Sequence, residues 1–159
     1  MRRAQRRFRD GGNLRAQATW INEKRFFERN VSVTASSVPL RVLVVDDSNT
    51  IRRSAEIFLK QGGYEVLLAD DGFDALSKVN DYQPQLIFCD ILMPKLDGYQ
   101  TCAIIKRNAR FSNTPVVMLS SKDGVFDKAR GRMVGCQDYL TKPFTKDQLL
   151  QAVEQFGKQ

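Results

Sequence analysis

Histidine is absent from this chain of 159 residues. That absence removes imidazole general-base catalysis, phosphohistidine chemistry within the chain and most zinc sites. Cysteine is scarce. Cys89, Cys102 and Cys136 are an odd number without CxxC spacing, which excludes a disulfide framework and fits buried, reduced thiols of a cytosolic protein. Long apolar runs are also missing: no stretch approaches the roughly 18 residues needed to cross a bilayer. No apolar segment near the N-terminus has the form of a secretory signal. These absences predict a cytoplasmic protein with no membrane span.

Charge is present but uneven. Of 25 basic and 18 acidic residues, residues 1–40 hold nine and three, leaving sixteen and fifteen for the rest. The net charge of +7 therefore belongs to the N-terminal segment, and the body is nearly neutral. Nucleic-acid binding cannot be argued from the overall charge, and nucleic acid is not an expected partner. Residues 1–30 are Arg-rich with scattered aromatics (Phe8, Trp20, Phe26, Phe27) and a Gly11-Gly12 break. Residues 31–39 are rich in Ser, Thr and Val and read as a linker. We expect residues 1–39 to be a basic, disordered extension and residues 40–157 a folded domain.

From Arg41 onward the pattern becomes regular. Short β-branched runs at 41–45, 65–69, 86–89, 115–119 and 136–140 predict strands. Helical spacing predicts helices over 49–60, 71–79, 98–107, 124–133 and 145–156. Gly62-Gly63 should stop the first helix. Leu149, Leu150, Val153 and Phe156 should face the core from the last. Five strands alternating with five helices predict an α/β doubly wound domain with a five-stranded parallel sheet. Ligands of such sheets bind beyond the carboxyl ends of the strands, where strand order reverses.

The apolar runs stop on polar groups. Asp46 and Asp47 follow residues 41–45, Asp90 follows 86–89, Ser120 follows 116–119, and Lys142-Pro143 follow 138–141. In a parallel sheet all of them reach one edge. Each has a plainer reading alone: Asp46-Asp47-Ser48 as a helix cap, Asp90 as a turn residue, Ser120 as a cap, Lys142 as a solvated lysine. Together those readings fail on energy. Two carboxylates about 4 Å apart repel by roughly 4 kcal/mol at an effective dielectric near 20, so three need a cation. All-oxygen ligands without histidine select a hard ion, and Mg²⁺ fits. Asp90, at the end of the central strand, is then the candidate nucleophile for a phosphoryl group. Lys142 would supply an ammonium and Ser120 a hydroxyl. Pro143 is a candidate for a cis peptide that aims Lys142 inward.

These residues carry a resemblance. Val44-Val-Asp-Asp-Ser48, Cys89-Asp-Ile-Leu-Met-Pro94 with Asp97-Gly98, Leu119-Ser-Ser121 and Lys142-Pro-Phe144 together resemble the receiver domain of bacterial response regulators, over about residues 40–157. The resemblance implies a flavodoxin-like (β/α)5 fold. It implies that Asp90 accepts phosphate from a chemotaxis-type histidine kinase or phosphotransfer domain. Asp47, Asp90 and the backbone carbonyl of Leu92 would hold Mg²⁺, with Asp46 acting through water. Ser120 and Tyr139 would form the switch pair. More narrowly, Thr50-Ile-Arg-Arg53, Asp71-Gly-Phe-Asp-Ala-Leu76, Leu96-Asp-Gly-Tyr-Gln-Thr-Cys102 and Ser120-Ser-Lys-Asp-Gly124 resemble the stand-alone regulators of type IV pilus twitching motility.

On that likeness, phosphorylation draws Ser120 inward and Tyr139 fills the vacated space from an outward position. This would remodel a partner surface around Lys128, Arg132 and Tyr139. Moving such an equilibrium from 1:99 to 99:1 takes about 5.5 kcal/mol. Leu92 and Lys122 flank the expected approach of water and neither is a general base, so a long-lived phospho-state is expected. The expected protein is a monomer without an output domain, signalling by contact with a downstream motility protein. A flagellar-chemotaxis-type or phosphate-sink receiver is the alternative. An Asp-dependent Mg²⁺ phosphohydrolase is a competing class, but Leu92 stands where that chemistry would use a second acid. A DNA-binding regulator acting through the basic arm is a third. For the extension itself three readings stay open: an arm for anionic partners, a disordered tail without a role, or a start-site artefact with translation beginning near Val31 or Val33. The latter two are favoured.

Overall fold

The computed structural model describes residues 38–121 and 128–157. Five strands and five helices alternate: β1 (Arg41–Val45), α1 (Asn49–Gln61), β2 (Glu65–Ala69), α2 (Gly72–Tyr82), β3 (Leu86–Asp90), α3 (Gly98–Arg107), β4 (Val116–Ser121), α4 (Lys128–Val134), β5 (Asp138–Lys142) and α5 (Lys146–Phe156). All strand pairs are parallel and the sheet order is β2-β1-β3-β4-β5. Strand order reverses between β1 and β3, so the doubly wound fold read from the sequence is the fold observed.

The central strands are continuous apolar runs because both faces of the sheet are covered. Side chains alternate between faces along a strand. Val42, Val44 and Phe88 pack with Ala55 and Leu59 of α1 and Leu149 and Val153 of α5. Leu43, Val45, Ile87 and Cys89 pack with Ala75 and Val79 of α2 and with Tyr99, Cys102 and Ile105 of α3. The helix starts are written into the sequence. Ser48 caps α1 and Asp71 caps α2, each accepting a backbone N–H of the first turn. Asp97 with Gln100 and Thr145 with Gln148 form full capping boxes at α3 and α5. Gly62 closes α1, and Gly63 follows it at φ 87°, a conformation that favours glycine.

Some expected boundaries move. The fifth strand is Asp138–Lys142, not 136–140. Cys136 is consumed by the end of α4, where its N–H donates to the Gly131 carbonyl at 3.0 Å beside Gly135 at φ 86°. Gln137 then meets the start of β4 twice: its N–H donates to the Val116 carbonyl at 2.8 Å and its side-chain oxygen accepts from Val116 N at 2.7 Å. Asp90 and Ser120 lie inside their strands rather than beyond them, since Asp90 pairs with Leu119 and Ser120 with Thr141. Helix α2 runs on to Tyr82. Residues 1–37 and Lys122 lie outside the described residues, as does the start of the helix expected over 124–133. Among the described residues no helix is long and apolar enough to cross a membrane, and all three cysteines are free thiols.

Phe88 is fully buried in β3, while Ile57 on α1 is 52% exposed. Truncating a buried Phe to Ala typically costs about 3–5 kcal/mol. Phe88→Ala is expected to lower stability by that amount in urea unfolding, and Ile57→Ala to stay within about 0.5 kcal/mol of the parent.

Candidate functional site

The apolar β1 ends at Val45, and the chain there places Asp46 and Asp47 at the carboxyl edge of the sheet. Asp46 is held from every side. Its N–H donates to the Ala69 carbonyl at 3.1 Å, at the end of β2. Its Oδ1 accepts from Ser48 N at 2.8 Å, and its Oδ2 from Lys142 Nζ at 3.0 Å. Its carbonyl accepts from Arg52 Nη1 at 2.6 Å. Asp90, the last residue of β3, accepts from the same ammonium at 3.0 Å through Oδ1. Lys142, the last residue of β5, thus bridges two buried carboxylates, Asp90 two strands away and Asp46 three. The Lys142–Pro143 bond is cis, as expected.

Asp47 is exposed, yet its carboxylate completes the cluster. One oxygen each of Asp46, Asp47 and Asp90 lie within 4.8 Å of one another. At that spacing each like-charged pair costs roughly 3–4 kcal/mol at an effective dielectric near 20, and one ammonium cannot cancel three negative charges. The strain falls on Asp90. Burial first, then the Asp46 charge and a hydrogen bond with Asp47, push its pKa up to about 6 against the opposing pull of Lys142. Burial pulls the Lys142 ammonium down, but its hydrogen bonds to Asp90 and Asp46 outweigh this and hold it above the ordinary lysine value. An all-oxygen donor set with surplus negative charge and one solvent-facing carboxylate suits a hard divalent cation such as Mg²⁺.

Ser120 sits on β4, one residue past the partner of Asp90. It is buried, and its hydroxyl has no hydrogen-bond partner among the described residues. A buried hydroxyl left unpaired costs about 1–3 kcal/mol, so this position is incomplete without a further polar group. Gly98 opens α3 against the site. A Cβ there would collide with the Asp90 carbonyl oxygen and lie 2.9 Å from Ile91 Cα, and Gly98 N donates to the Ile91 carbonyl at 2.9 Å. Leu92 is 70% exposed on the following loop.

Tyr139 differs from the expected outward placement. It is half-buried and packs against the core layer of α2, α3 and α4. Its hydroxyl lies against the α4 backbone at Gly131, where even a methyl group would overlap it. Burial, then hydrogen bonds with Tyr99 and Cys136, raise its pKa well above the ordinary tyrosine range. Lys128 and Arg132 are exposed on α4, beside an 87% exposed Met133. The sequence reading missed Gly131 and Arg52 as contributors. Only the glycine left a signal, because a helix interior seldom holds one without a packing reason.

The family of response regulator receiver domains matches residues 42–154. The chain belongs to that family. This receiver domain is 63% identical over 115 residues to protein PilG of Pseudomonas aeruginosa, a match covering 72% of this chain and 85% of that protein. That similarity supports the narrower likeness to twitching-motility regulators. It is 40% identical over 105 residues to the alkaline phosphatase synthesis transcriptional regulatory protein PhoP of Bacillus subtilis, matching 66% of this chain but 43% of that protein. Among solved structures, chemotaxis protein CheY4 of Vibrio cholerae superposes with a TM-score of 0.71 at 32% identity, over 75% of this chain and 99% of that one.

The Asp90 shift fixes a pH dependence. Its folded pKa of about 6 exceeds the unfolded value near 4. The unfolded chain therefore releases this proton first, and stability falls as pH rises from about 4 through 6. In EDTA, the stability advantage of Asp90→Asn over the parent should be small at pH 4.5 and grow by on the order of 2 kcal/mol by pH 7.5. Urea unfolding across that range measures it, and parallel profiles for the two proteins would contradict the assignment.

Proposed function

We propose that Asp90 accepts a phosphoryl group from a histidine kinase or phosphotransfer domain of chemotaxis type, and that the phosphorylated domain signals by protein contact to control type IV pilus twitching motility. The observation that carries this reading is the single Lys142 ammonium shared at 3.0 Å by Asp46 and Asp90, with Asp47 beside them. In the proposed transfer an Asp90 oxygen attacks phosphorus in line. The new O–P bond forms as the donor's P–N bond breaks, the electron pair stays on the leaving ring nitrogen, and that nitrogen takes a proton from water to depart as neutral imidazole. Asp47, Asp90 and the Leu92 carbonyl would hold Mg²⁺, with Asp46 through water, and that ion would supply charge neutralisation for the transferring oxygens. Lys142 then offers its ammonium to a phosphoryl oxygen, and the unpaired Ser120 hydroxyl donates to another.

The phosphoryl group adds roughly −1.5 to −2 charge at this edge. We infer that Ser120 and Tyr139 respond to it as a pair. The receiving face comprises Lys128, Arg132 and Tyr139, next to an open groove of about 390 Å³ lined by residues including Tyr139, Thr141 and Gln148. Leu92 places no acid or base near Asp90, which favours a slowly hydrolysed phospho-state over a turnover enzyme. The 63% identity to PilG, against 32% to CheY4, is the reason for preferring a pilus regulator to a flagellar-chemotaxis one. The domain (residues 40–157) is proposed to act in the cytoplasm as a monomer, with residues 1–39 uninvolved in phosphoryl acceptance.

Incubation with a small phosphodonor and Mg²⁺ should label the parent protein, and labelling of Asp90→Asn should fall to background. Equal labelling of the two would overturn the proposal. The Tyr139 contact gives a second expectation. Gly→Ala inside a helix ordinarily stabilises by about 1 kcal/mol, but Gly131→Ala should destabilise by about 1–3 kcal/mol because its methyl overlaps the Tyr139 hydroxyl. The loss should shrink in a Tyr139→Ala background, where Cys136 Sγ at 2.9 Å is the remaining close neighbour of the new methyl, as a double-mutant cycle in urea would read.

A further inference from the structure

We propose that Arg52 is a positioning residue for the metal-binding carboxylates: by holding the Asp46 carbonyl it fixes the peptide that carries Asp47, and so raises the affinity of the site for a divalent cation. This rests on the reading of Asp46, Asp47 and Asp90 as a cation site.

Asp46 has four polar functions, and three are bound to fixed parts of the fold: its N–H to β2, one carboxylate oxygen to the Ser48 amide and the other to Lys142. The fourth, the carbonyl, belongs to the peptide joining Asp46 to Asp47. Its partner is the Arg52 guanidinium at 2.6 Å, a charge-assisted bond. Arg52 is itself well anchored. It is half-buried in the first turns of α1, its N–H donates to the Ser48 carbonyl at 3.1 Å, and its Nη2 lies 3.5 Å from Asn49 Oδ1. Asp47, by contrast, is exposed. The direction in which its carboxylate leaves the chain is set by the peptide plane before it, and Arg52 pins that plane. This is the arrangement by which an outer partner orients an inner ligand, and losing such a partner typically lowers metal affinity 10- to 100-fold.

The sign of the effect separates positioning from simple charge. Arg52 brings a full positive charge to the edge of the site. If that charge were its only influence, deleting it would relieve repulsion of an incoming cation and tighten binding. If it positions Asp47, deleting it loosens binding.

Titration calorimetry of the full chain with Mg²⁺ at pH 7.5 tests this, using the parent, Arg52→Ala, Arg52→Lys and Asp47→Asn, with urea unfolding of each in EDTA. The expected result is about tenfold weaker Mg²⁺ binding by Arg52→Ala, partial recovery by Arg52→Lys, whose ammonium can still reach a carbonyl, and near loss of binding by Asp47→Asn. Binding by Arg52→Ala that equals or exceeds the parent's overturns the inference. A lower unfolding midpoint with unchanged Mg²⁺ affinity overturns it too, since that is a structural role alone. If Arg52→Ala does not fold, Arg52→Gln takes its place under the same criteria. If the parent itself binds no Mg²⁺ while Asp47→Asn behaves identically, the cation-site reading fails and this inference fails with it, a result distinct from parental binding that is indifferent to Arg52.

Discussion

One ammonium between two buried carboxylates organises this domain. Lys142 ends the edge strand β5, while Asp46 directly follows β1 and Asp90 ends β3, both on the far side of β4. The bridge therefore spans the sheet and depends on the register of every strand between. A one-residue slip would turn each of these side chains to the other face. Removing either partner would leave a buried charge uncompensated, which is far more costly than a missing surface ion pair. Even so, the bridge leaves the site short of positive charge. Asp90 carries a raised pKa, first from its burial and then from the neighbouring Asp46 charge. The fold thus holds these carboxylates in an arrangement that its own groups only partly neutralise. That is the condition expected of a site completed by a divalent cation.

The site is joined to the α4 face by short contacts rather than by a long relay. Gly98 lets α3 begin against the Asp90 and Ile91 backbone. Its neighbour Asp97 caps α3 and pairs with Arg130 of α4 at 3.5 Å, and Arg130 lies over the Tyr99 ring at 4.8 Å. Tyr99 hydrogen-bonds Tyr139, whose hydroxyl rests on Gly131. These contacts form a continuous physical connection from the proposed acceptor to the proposed partner surface. Continuity alone does not prove coupling. What gives it content is that Tyr139 occupies a place only glycine permits, so it has a definite position to leave.

Much of this was legible in the sequence, for identifiable reasons. The β-branched runs and the capping residues Ser48, Asp71, Asp97 and Thr145 fix elements locally, and local signals survive in one dimension. Asp46, Asp47, Asp90, Ser120 and Lys142 could be gathered because parallel topology sends all strand ends to one edge. The misplaced start of β5 has the opposite origin. Cys136 looks like a strand residue by type, but its amide is taken by the α4 terminus, and at Gln137 a side-chain oxygen replaces the backbone carbonyl as the acceptor of Val116 N. The packing of Tyr139 left half a signal: a glycine inside α4 implies a close neighbour, but residue type does not say that the neighbour is Tyr139.

Arg52 marks the limit of reading by residue type. On a helix after an acidic pair, an arginine reads as a solvated charge or an ion-pair partner. Its bond is instead to a carbonyl, and no pattern of side-chain types encodes a backbone acceptor. Yet the Asp46 carbonyl lies in a residue with no solvent access, and buried carbonyls require partners. Counting the acceptors of Asp46 leaves that one to be supplied, and Arg52 is the group that reaches it. The acidic site is therefore held by two cations of different function: Lys142 moderates its charge, while Arg52 fixes the geometry of the chain that presents it.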